Sequence, residues 1–254
     1  MKKLQIPIKP LLLLTLSLSA SLSLLSLLHH HHQNSSQNAP PTPTIPTTPL
    51  RIRRNYSTYD AYLHIQLNKT LNPSLRHLWT TRDWDRKVRA FSSFFRDLLR
   101  LNLLIPSSRC LCVGARVGQE VQALISVGVP DAIGIDLVPS PPLVVEGDFH
   151  RQPFEDERFD FEFSNVFDHA LYPERFVAEM ERTLKVGGIA AVHVAIGRRG
   201  DKYSANDLFS VDGLVGLFRV SEVVRVRRVD GFGLDTEVVM RKVRKSGGSN
   251  AVAV

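Results

Sequence analysis

Two segments near the middle of the chain carry residue types that can bind a nucleoside. Residues 113–120 contain Gly114 and Gly118, which let the backbone turn sharply and approach a ligand before a helix whose first N–H groups are free. Asp136 lies 22 residues after Gly114, the distance at which a carboxylate accepts hydrogen bonds from ribose hydroxyls. The spacing therefore predicts a nucleoside site.

Two later segments carry further polar side chains. Residues 147–149 are Gly-Asp-Phe, and residues 165–169 run from an asparagine to an Asp-His pair. Each follows a short apolar run. Because ligands of open α/β sheets bind beyond the carboxyl ends of the strands, we expect all four segments to converge on one crevice.

The elements that must position these residues alternate between strands and helices. Strands are predicted over residues 110–113, 132–136, 143–145, 159–164 and 189–195, and helices over 118–127 and 173–184. This alternation indicates an α/β fold with a parallel sheet covered on both faces. Residues 220–229 and 234–243 predict a closing hairpin, which nucleotide-binding dehydrogenases do not usually have.

An N-terminal helical extension is predicted over residues 57–105. Within it, residues 82–103 place apolar side chains three and four positions apart, which predicts an amphipathic helix on the sheet. Residues 57–70 predict a weaker helix or a loop. The α/β domain is assigned to residues 106–245 and a flexible tail to 246–254.

Composition and charge exclude several classes of protein. A chain of 254 residues with 43% apolar and 22% charged residues is typical of folded proteins. Two cysteines and the absence of C-x-x-C or H-E-x-x-H spacing exclude a disulfide scaffold and predict no metal site. Residues 1–80 hold eight basic residues and one acid, which accounts for the net charge of +7, so no nucleic-acid partner is expected.

The first 32 residues are predicted to form a cytosolic tip and a membrane-spanning segment. Residues 11–28 contain eleven Leu and no charge, and a helix of this length reaches about 27 Å, near the lower limit for a bilayer. Lys2, Lys3 and Lys9 precede the run, so the positive-inside bias predicts a type II protein with its domain in the lumen of the ER or Golgi. The alternative is a cleaved N-terminal segment, giving a secreted or organellar protein.

Residues 33–56 are rich in Pro, Ser and Thr and are predicted to form an extended stalk. N-glycosylation sequons at Asn34, Asn55 and Asn68 all precede the α/β domain, in agreement with a lumenal orientation. The four histidines at 29–32 have no fixed scaffold, and a polar tract is favoured there over a metal site.

The order of the motifs resembles that of class I S-adenosylmethionine-dependent methyltransferases. The resemblance covers about residues 107–244 and rests on GARVG, then IGID, then GDF with PF and FD, then NVFDHALYPERFVAEMERTLKVGG. It is nearest to a plant group of membrane-anchored methyltransferase-like proteins. It implies a seven-stranded Rossmann-like sheet of order 3-2-1-4-5-7-6, with strand seven antiparallel and helices on both faces.

The resemblance also implies S-adenosylmethionine as cofactor, with a small molecule or a polysaccharide as methyl acceptor. The sequence does not identify that acceptor. By analogy, Gly114 and Gly118 line the cofactor, Asp136 binds the ribose, Asp148 contacts the adenine amino group with Phe149 beside it, and Asn165 borders the methionine portion.

Two positions depart from the family's first motif, acid-x-Gly-x-Gly-x-Gly. Cys112 replaces the acid and Arg116 replaces the central glycine, so the cofactor's ammonium group lacks its usual carboxylate. Glu120 is the candidate substitute, and Arg116 is a candidate partner for the cofactor's carboxylate. The rival interpretations are an inactive binding or scaffold protein, and a nicotinamide-dependent oxidoreductase, which Arg116 disfavours by interrupting G-x-G-x-x-G.

The reaction needs little from the protein, because a sulfonium methyl group is already a strong electrophile. If the acceptor is a hydroxyl or an amine, His169 is the candidate general base, with Asp168 adjacent to it. The alternative is that this pair shapes the cofactor pocket without proton transfer. A carboxylate acceptor would need no base.

Overall fold

The computed structural model describes residues 48–54, 56–197 and 200–244. The apolar run 11–28, the four histidines at 29–32 and the sequons at Asn34 and Asn55 lie outside these residues. Among the described helices, none combines the length and the apolar character needed to cross a bilayer.

Seven strands form one sheet in the described part of the chain. They are β2 (Cys110–Val113), β3 (Ala132–Asp136), β4 (Val144–Glu146), β5 (Phe159–Ser164), β6 (Leu184–Val194), β8 (Ser221–Gly231) and β9 (Leu234–Lys242). The order is β4-β3-β2-β5-β6-β9-β8, and β9 is antiparallel to both of its neighbours. This confirms the predicted strand order and the predicted antiparallel strand.

Six helices surround this sheet in the described residues. They are α1 (Tyr59–Thr70), α2 (Pro73–Thr80), α3 (Trp84–Arg100), α4 (Gln119–Ser126), α5 (Pro173–Thr183) and α6 (Asp212–Val215). β6 begins directly after α5, earlier than predicted, because Gly187 and Gly188 interrupt the apolar pattern of its first half. Residues 59–70 form a full helix, begun by Thr58, whose hydroxyl accepts a hydrogen bond from the Ala61 N–H.

The alternation of side chains along β2 divides the interior into two cores. Leu111 and Val113 belong to the core that contains Phe176 of α5. Cys110 and Cys112 belong to the other core, with aromatic side chains of α3. Both cysteines are free and buried, as small apolar residues would be.

A second, two-stranded sheet joins the start of the described chain to the loop after β6. Its strands, β1 (Leu50–Ile52) and β7 (Asn206–Leu208), pair antiparallel, and Arg51 donates to Asp207 at 2.8 Å. The sequence did not predict β1, which falls within the range assigned to the stalk. Its three residues lack a periodic pattern, so the pairing depends on a partner more than 150 positions away.

Candidate functional site

The bend between β2 and α4 is fixed by its own packing. Gly114 and Gly118 have φ values of +75° and +91°, a region that favours glycine. A β-carbon at Gly114 would lie 2.3 Å from Cγ2 of Val166, and one at Gly118 would lie 2.7 Å from Cβ of Leu143. Neighbouring side chains therefore require both glycines, whatever the bend binds.

Arg116 and Asp136 meet beside this bend. Arg116 has a φ of +51°, and its backbone N–H donates to Oδ2 of Asp136 at 2.9 Å. Burial raises the pKa of Asp136, although hydrogen bonds from the backbone N–H groups of Arg116 and Val138 oppose that rise. The structure thus brings together the bend and the carboxylate that the 22-residue spacing predicted.

A cavity of about 100 Å³ lies beyond the carboxyl ends of β2, β3 and β5, and we call it the first cavity. Helix α1 covers it. Its lining comprises Tyr62, Gln66, Lys69, Thr70, Gly114, Arg116, Asp136, Leu137, Phe149, Asn165, Val166 and His169. Five predicted cofactor-binding residues therefore share one cavity, whereas Gly118, Glu120 and Asp148 lie outside this lining.

Asp148 is engaged by neighbouring protein groups. Its carboxylate accepts a short hydrogen bond from the Tyr59 hydroxyl and another, at 2.8 Å, from the backbone N–H of His150. Burial favours a higher pKa for Asp148, but hydrogen bonds from His150 and Tyr59 outweigh it and lower the pKa. The predicted adenine contact is therefore already part of a hydrogen-bonded cluster with α1.

Glu120 and Arg116 leave buried charged atoms unpaired. Oε1 of Glu120 accepts from Nδ2 of Asn165 at 2.9 Å, which fixes the carboxylate. Oε2 of Glu120 and Nε of Arg116 are buried and have no hydrogen-bond partner among the described residues. The Arg116 guanidinium lies over the Trp79 ring, with its Cζ atom 5.4 Å from the ring centroid. Buried polar atoms without hydrogen-bond partners are costly, so these two atoms fit a ligand that carries both signs of charge.

Both nitrogens of His169 are already occupied. Nδ1 lies 3.3 Å from the carbonyl oxygen of Tyr203, which can only accept, so Nδ1 carries the proton. Nε2 then accepts from the Lys69 ammonium at 3.0 Å. Burial lowers the pKa of His169, and the Lys69 charge lowers it further. Asp168 accepts a short hydrogen bond from Ser204 and lies 3.9 Å from Nε2 of His169.

The contribution of α1 was missed at the sequence level. Tyr62, Gln66 and Thr70 are buried, and with Lys69 they form the roof of the first cavity. Their positions, three and four apart, are the helical spacing that could have signalled a buried polar face. That pattern contains few aliphatic residues, so a search for apolar periodicity passes over it.

The described residues contain no group of three or more His, Cys, Asp or Glu side chains placed to hold a metal ion. The first cavity is lined by one carboxylate residue, Asp136, and by two basic residues, Arg116 and Lys69. Such groups bind and orient a charged organic ligand.

Comparison with known proteins agrees with this geometry. Residues 111–192 match the family described as "Methyltransferase domain". A search of curated proteins found no match. Among solved structures, the chain is similar to the 1,6-didemethyltoxoflavin-N1-methyltransferase of Burkholderia thailandensis, solved with 1,6-didemethyltoxoflavin and S-adenosylhomocysteine. That likeness has a TM-score of 0.59 at 16% identity and covers 76% of this chain and 94% of that one.

A second similar structure is a putative methyltransferase of Haloferax volcanii in complex with the Trm112 methyltransferase activator. It has a TM-score of 0.51 at 16% identity and covers 66% of this chain and 96% of that one. At this identity the likeness shows the fold alone. The chain therefore has the Rossmann-like fold of class I methyltransferases, and its residues 111–192 match the methyltransferase domain family.

Proposed function

We propose that this chain is an S-adenosylmethionine-dependent methyltransferase that acts on a small-molecule or polysaccharide acceptor and is tethered to an endomembrane by residues 11–28. The main support for this activity comes from two buried atoms that have no hydrogen-bond partner among the described residues, Oε2 of Glu120 and Nε of Arg116. The amino-acid end of the cofactor presents an ammonium and a carboxylate, which supply the two missing partners.

The nucleoside end would be held by residues of the next strands. Asp136 would accept hydrogen bonds from the ribose hydroxyls beside the bend that Gly114 and Gly118 form. Asp148 would accept from the adenine amino group, with Phe149 alongside. A carboxylate has about four acceptor sites, so Asp148 can take this contact and keep the Tyr59 hydroxyl.

The bound cofactor supplies a methyl group on a positively charged sulfur. The chain's own residues then have to orient the cofactor and exclude water. Helix α1 serves the second task, since Tyr62 and Gln66 cover the first cavity. Small-molecule sites typically have volumes of about 300–1,000 Å³, so the side chains of α1 must shift when the cofactor enters a cavity of about 100 Å³.

The contacts of His169 favour one of the two roles that the sequence left open. Its Nε2 accepts a hydrogen bond from the Lys69 ammonium, and its Nδ1 faces the carbonyl oxygen of Tyr203. Asp168 is held by Ser204. His169 therefore shapes the wall of the first cavity and anchors α1 there.

Calorimetry with S-adenosylhomocysteine tests the cofactor site on the full chain in detergent. We expect saturable binding that Glu120→Gln weakens roughly tenfold or more, because a hydrogen bond to a charged group contributes about 1.5–3 kcal/mol. Glu155→Gln, at an exposed glutamate, is the matched control and should bind like the parent chain. Absence of saturable heat would favour an inactive scaffold instead.

Glycosidase treatment of the full chain made in eukaryotic cells tests the tether. The proposal is supported by the uncharged run at 11–28, by the lysines before it and by the sequons. Asn68 is exposed on α1. We expect a membrane-bound protein whose gel mobility shifts on deglycosylation, and no shift when all three sequon asparagines are changed to glutamine. A chain without glycans, with a cytosol-accessible C-terminus, would contradict the proposed orientation.

A further inference from the structure

A second, larger cavity lies beside the first, at the carboxyl ends of β5 and β6 and next to the turn between β8 and β9. Its volume is about 330 Å³. One short segment separates the two cavities: Asn165 and His169 line the first, whereas Phe167 and Asp168 line the second. A molecule in the second cavity would therefore be a direct neighbour of a molecule in the first.

His193 of β6 lines the second cavity and is held by a carboxylate. His193 is 1% exposed. Its ring centroid lies 4.7 Å from that of Phe94 and 4.9 Å from that of Phe163, and the ring is nearly perpendicular to both. Nε2 lies 3.1 Å from Oε2 of Glu237. Because an ionised carboxylate can only accept, Nε2 carries a proton, and the neutral form of the ring has its lone pair on Nδ1.

Glu237 is kept ionised by a clamp of cations. Its Oε1 accepts from Arg225 at 2.7 Å and from Arg227 at 2.8 Å. Burial would raise the pKa of Glu237, but hydrogen bonds from His193 and Arg227 outweigh it and hold the pKa at about 2. The two arginines, at alternate positions of the edge strand β8, fix the carboxylate that orients His193.

Nδ1 of His193 is buried and has no hydrogen-bond partner among the described residues. It faces the turn after β8, since a β-carbon at Gly231 would lie 3.7 Å from it. The next residue, Phe232, lines the second cavity and is 40% exposed. For a ligand in the second cavity to reach Nδ1, the ring of Phe232 must move aside.

A second unpaired acceptor borders the same cavity. Asn206 donates through Nδ2 to the carbonyl oxygens of Phe167 and Ala170, at 2.7 and 2.8 Å, which fixes the orientation of its amide. Its Oδ1 is buried and has no partner among the described residues. Asp168 and Asp201 also line this cavity, and their carboxylates already accept hydrogen bonds from the Ser204 hydroxyl and the Tyr203 N–H. The unpaired acceptors among the described residues of this wall therefore include Nδ1 of His193 and Oδ1 of Asn206, and a ligand with hydrogen-bond donors complements them.

We infer that the second cavity binds the methyl acceptor, that this acceptor carries a proton on the oxygen or nitrogen to be methylated, and that Nδ1 of His193 receives that proton. This inference rests on the proposed function. The acceptor's O–H or N–H bond breaks, and its proton moves to Nδ1. The acceptor atom takes the methyl group as the C–S bond of the donor breaks, with its electron pair left on sulfur. The resulting imidazolium is stabilised by Glu237.

This role distinguishes His193 from His169. Both rings are buried, but the lone pair of His169 holds the Lys69 ammonium, whereas that of His193 has no donor among the described residues. His193 was not singled out from the sequence because it sits in an otherwise apolar strand, Ile189 to Val194.

Two matched probes test the inference on the full chain with S-adenosylhomocysteine. 4-Methylphenol has a hydroxyl donor that stays protonated at neutral pH, and 4-methylanisole is the same ring with that hydroxyl methylated. We expect 4-methylphenol to bind at least tenfold tighter by calorimetry. His193→Phe, which keeps a ring at this position but lacks the Nδ1 lone pair, should abolish this preference. His64→Gln, at an exposed histidine of α1, should retain it.

Nitrogen-15 NMR of histidine-labelled parent chain supplies a readout that does not depend on the variant's folding. We expect an unprotonated Nδ1 at His193 whose resonance shifts when 4-methylphenol is added and not when 4-methylanisole is added. Equal affinities for the two probes, failure of both to bind, or a protonated Nδ1 in the free chain would overturn the inference. Binding of S-adenosylhomocysteine in the same samples reports separately on the proposed function.

Discussion

The two cavities at the carboxyl edge of the sheet differ in how their histidines are paired. In the first, Lys69 from α1 donates a hydrogen bond to the lone pair of His169. The acid next to His169 in sequence, Asp168, lines the second cavity and accepts a hydrogen bond from Ser204. In the second, the carboxylate of Glu237 orients His193 and leaves its lone pair without a donor in the described chain. A sequence-adjacent Asp-His pair is thus a weaker sign of a base than a carboxylate and a histidine on neighbouring strands.

The largest effect is expected at the floor of the first cavity. Gly114→Ala should lower the free energy of unfolding by about 2–5 kcal/mol, because left-handed strain of about 1–2 kcal/mol adds to overpacking of about 1–3 kcal/mol. Gly128→Ala is the matched control: its φ is +89° with nothing within 4 Å of the added carbon, so it carries strain alone. Equal losses in urea unfolding would show that packing does not fix this bend.

The free energy of unfolding at low pH depends on the hydrogen bonds that Glu237 accepts from Arg225 and Arg227 beside the second cavity. Glu237 has a pKa of about 2 in the fold, against 4.5 ordinarily, so its stabilisation is complete above pH 4.5 and is lost as the pH falls toward 2. The linked free energy is about 3 kcal/mol. We expect Glu237→Gln to reduce the pH dependence of the free energy of unfolding between pH 4.5 and 2. Glu222→Gln, at an exposed glutamate, should leave that pH dependence unchanged. An unchanged slope in Glu237→Gln would contradict the clamp.

Asp136→Ala should weaken binding of S-adenosylhomocysteine, because the ribose hydroxyls lose a buried acceptor that contributes about 1–3 kcal/mol. Asp131→Ala, whose side chain is exposed and pairs with Arg109, is the control. Isothermal titration measures both. If both variants bind like the parent chain, the first cavity is not the cofactor site.

The smallest effect is expected on the titration of His169. Burial is the largest cause that lowers the pKa of His169, and the Lys69 charge lowers it further, so Lys69→Met should raise this pKa. Histidine NMR across pH measures the change. Lys202→Met, at an exposed lysine, should leave the titration unchanged. A fall in the pKa of His169 would show that the two residues do not pair as the structure has them.

Much of the sheet could be predicted because its strands are short apolar runs separated by helical patterns, as from Cys110 to Asp136. Strand order followed from the resemblance and the closing hairpin. The bend at Gly114 and the carboxylate of Asp136 were predicted together, since both sit at strand ends whose spacing is set by one crossover helix.

The rest depended on contacts between residues far apart in sequence. The roof formed by α1 joins Tyr59 to Asp148 and Lys69 to His169. The pairing of His193 with Glu237 depends on the register of β6 and β9. No local pattern encodes such contacts, because each requires two distant segments to pack first.

A crystal structure of the full chain with S-adenosylhomocysteine tests the central claim most directly. We expect the ligand's ammonium within hydrogen-bond distance of Oε2 of Glu120 and its ribose hydroxyls on Asp136, with the side chains of α1 displaced outward. A ligand bound elsewhere, or an Oε2 of Glu120 that stays unpaired beside it, would contradict the account.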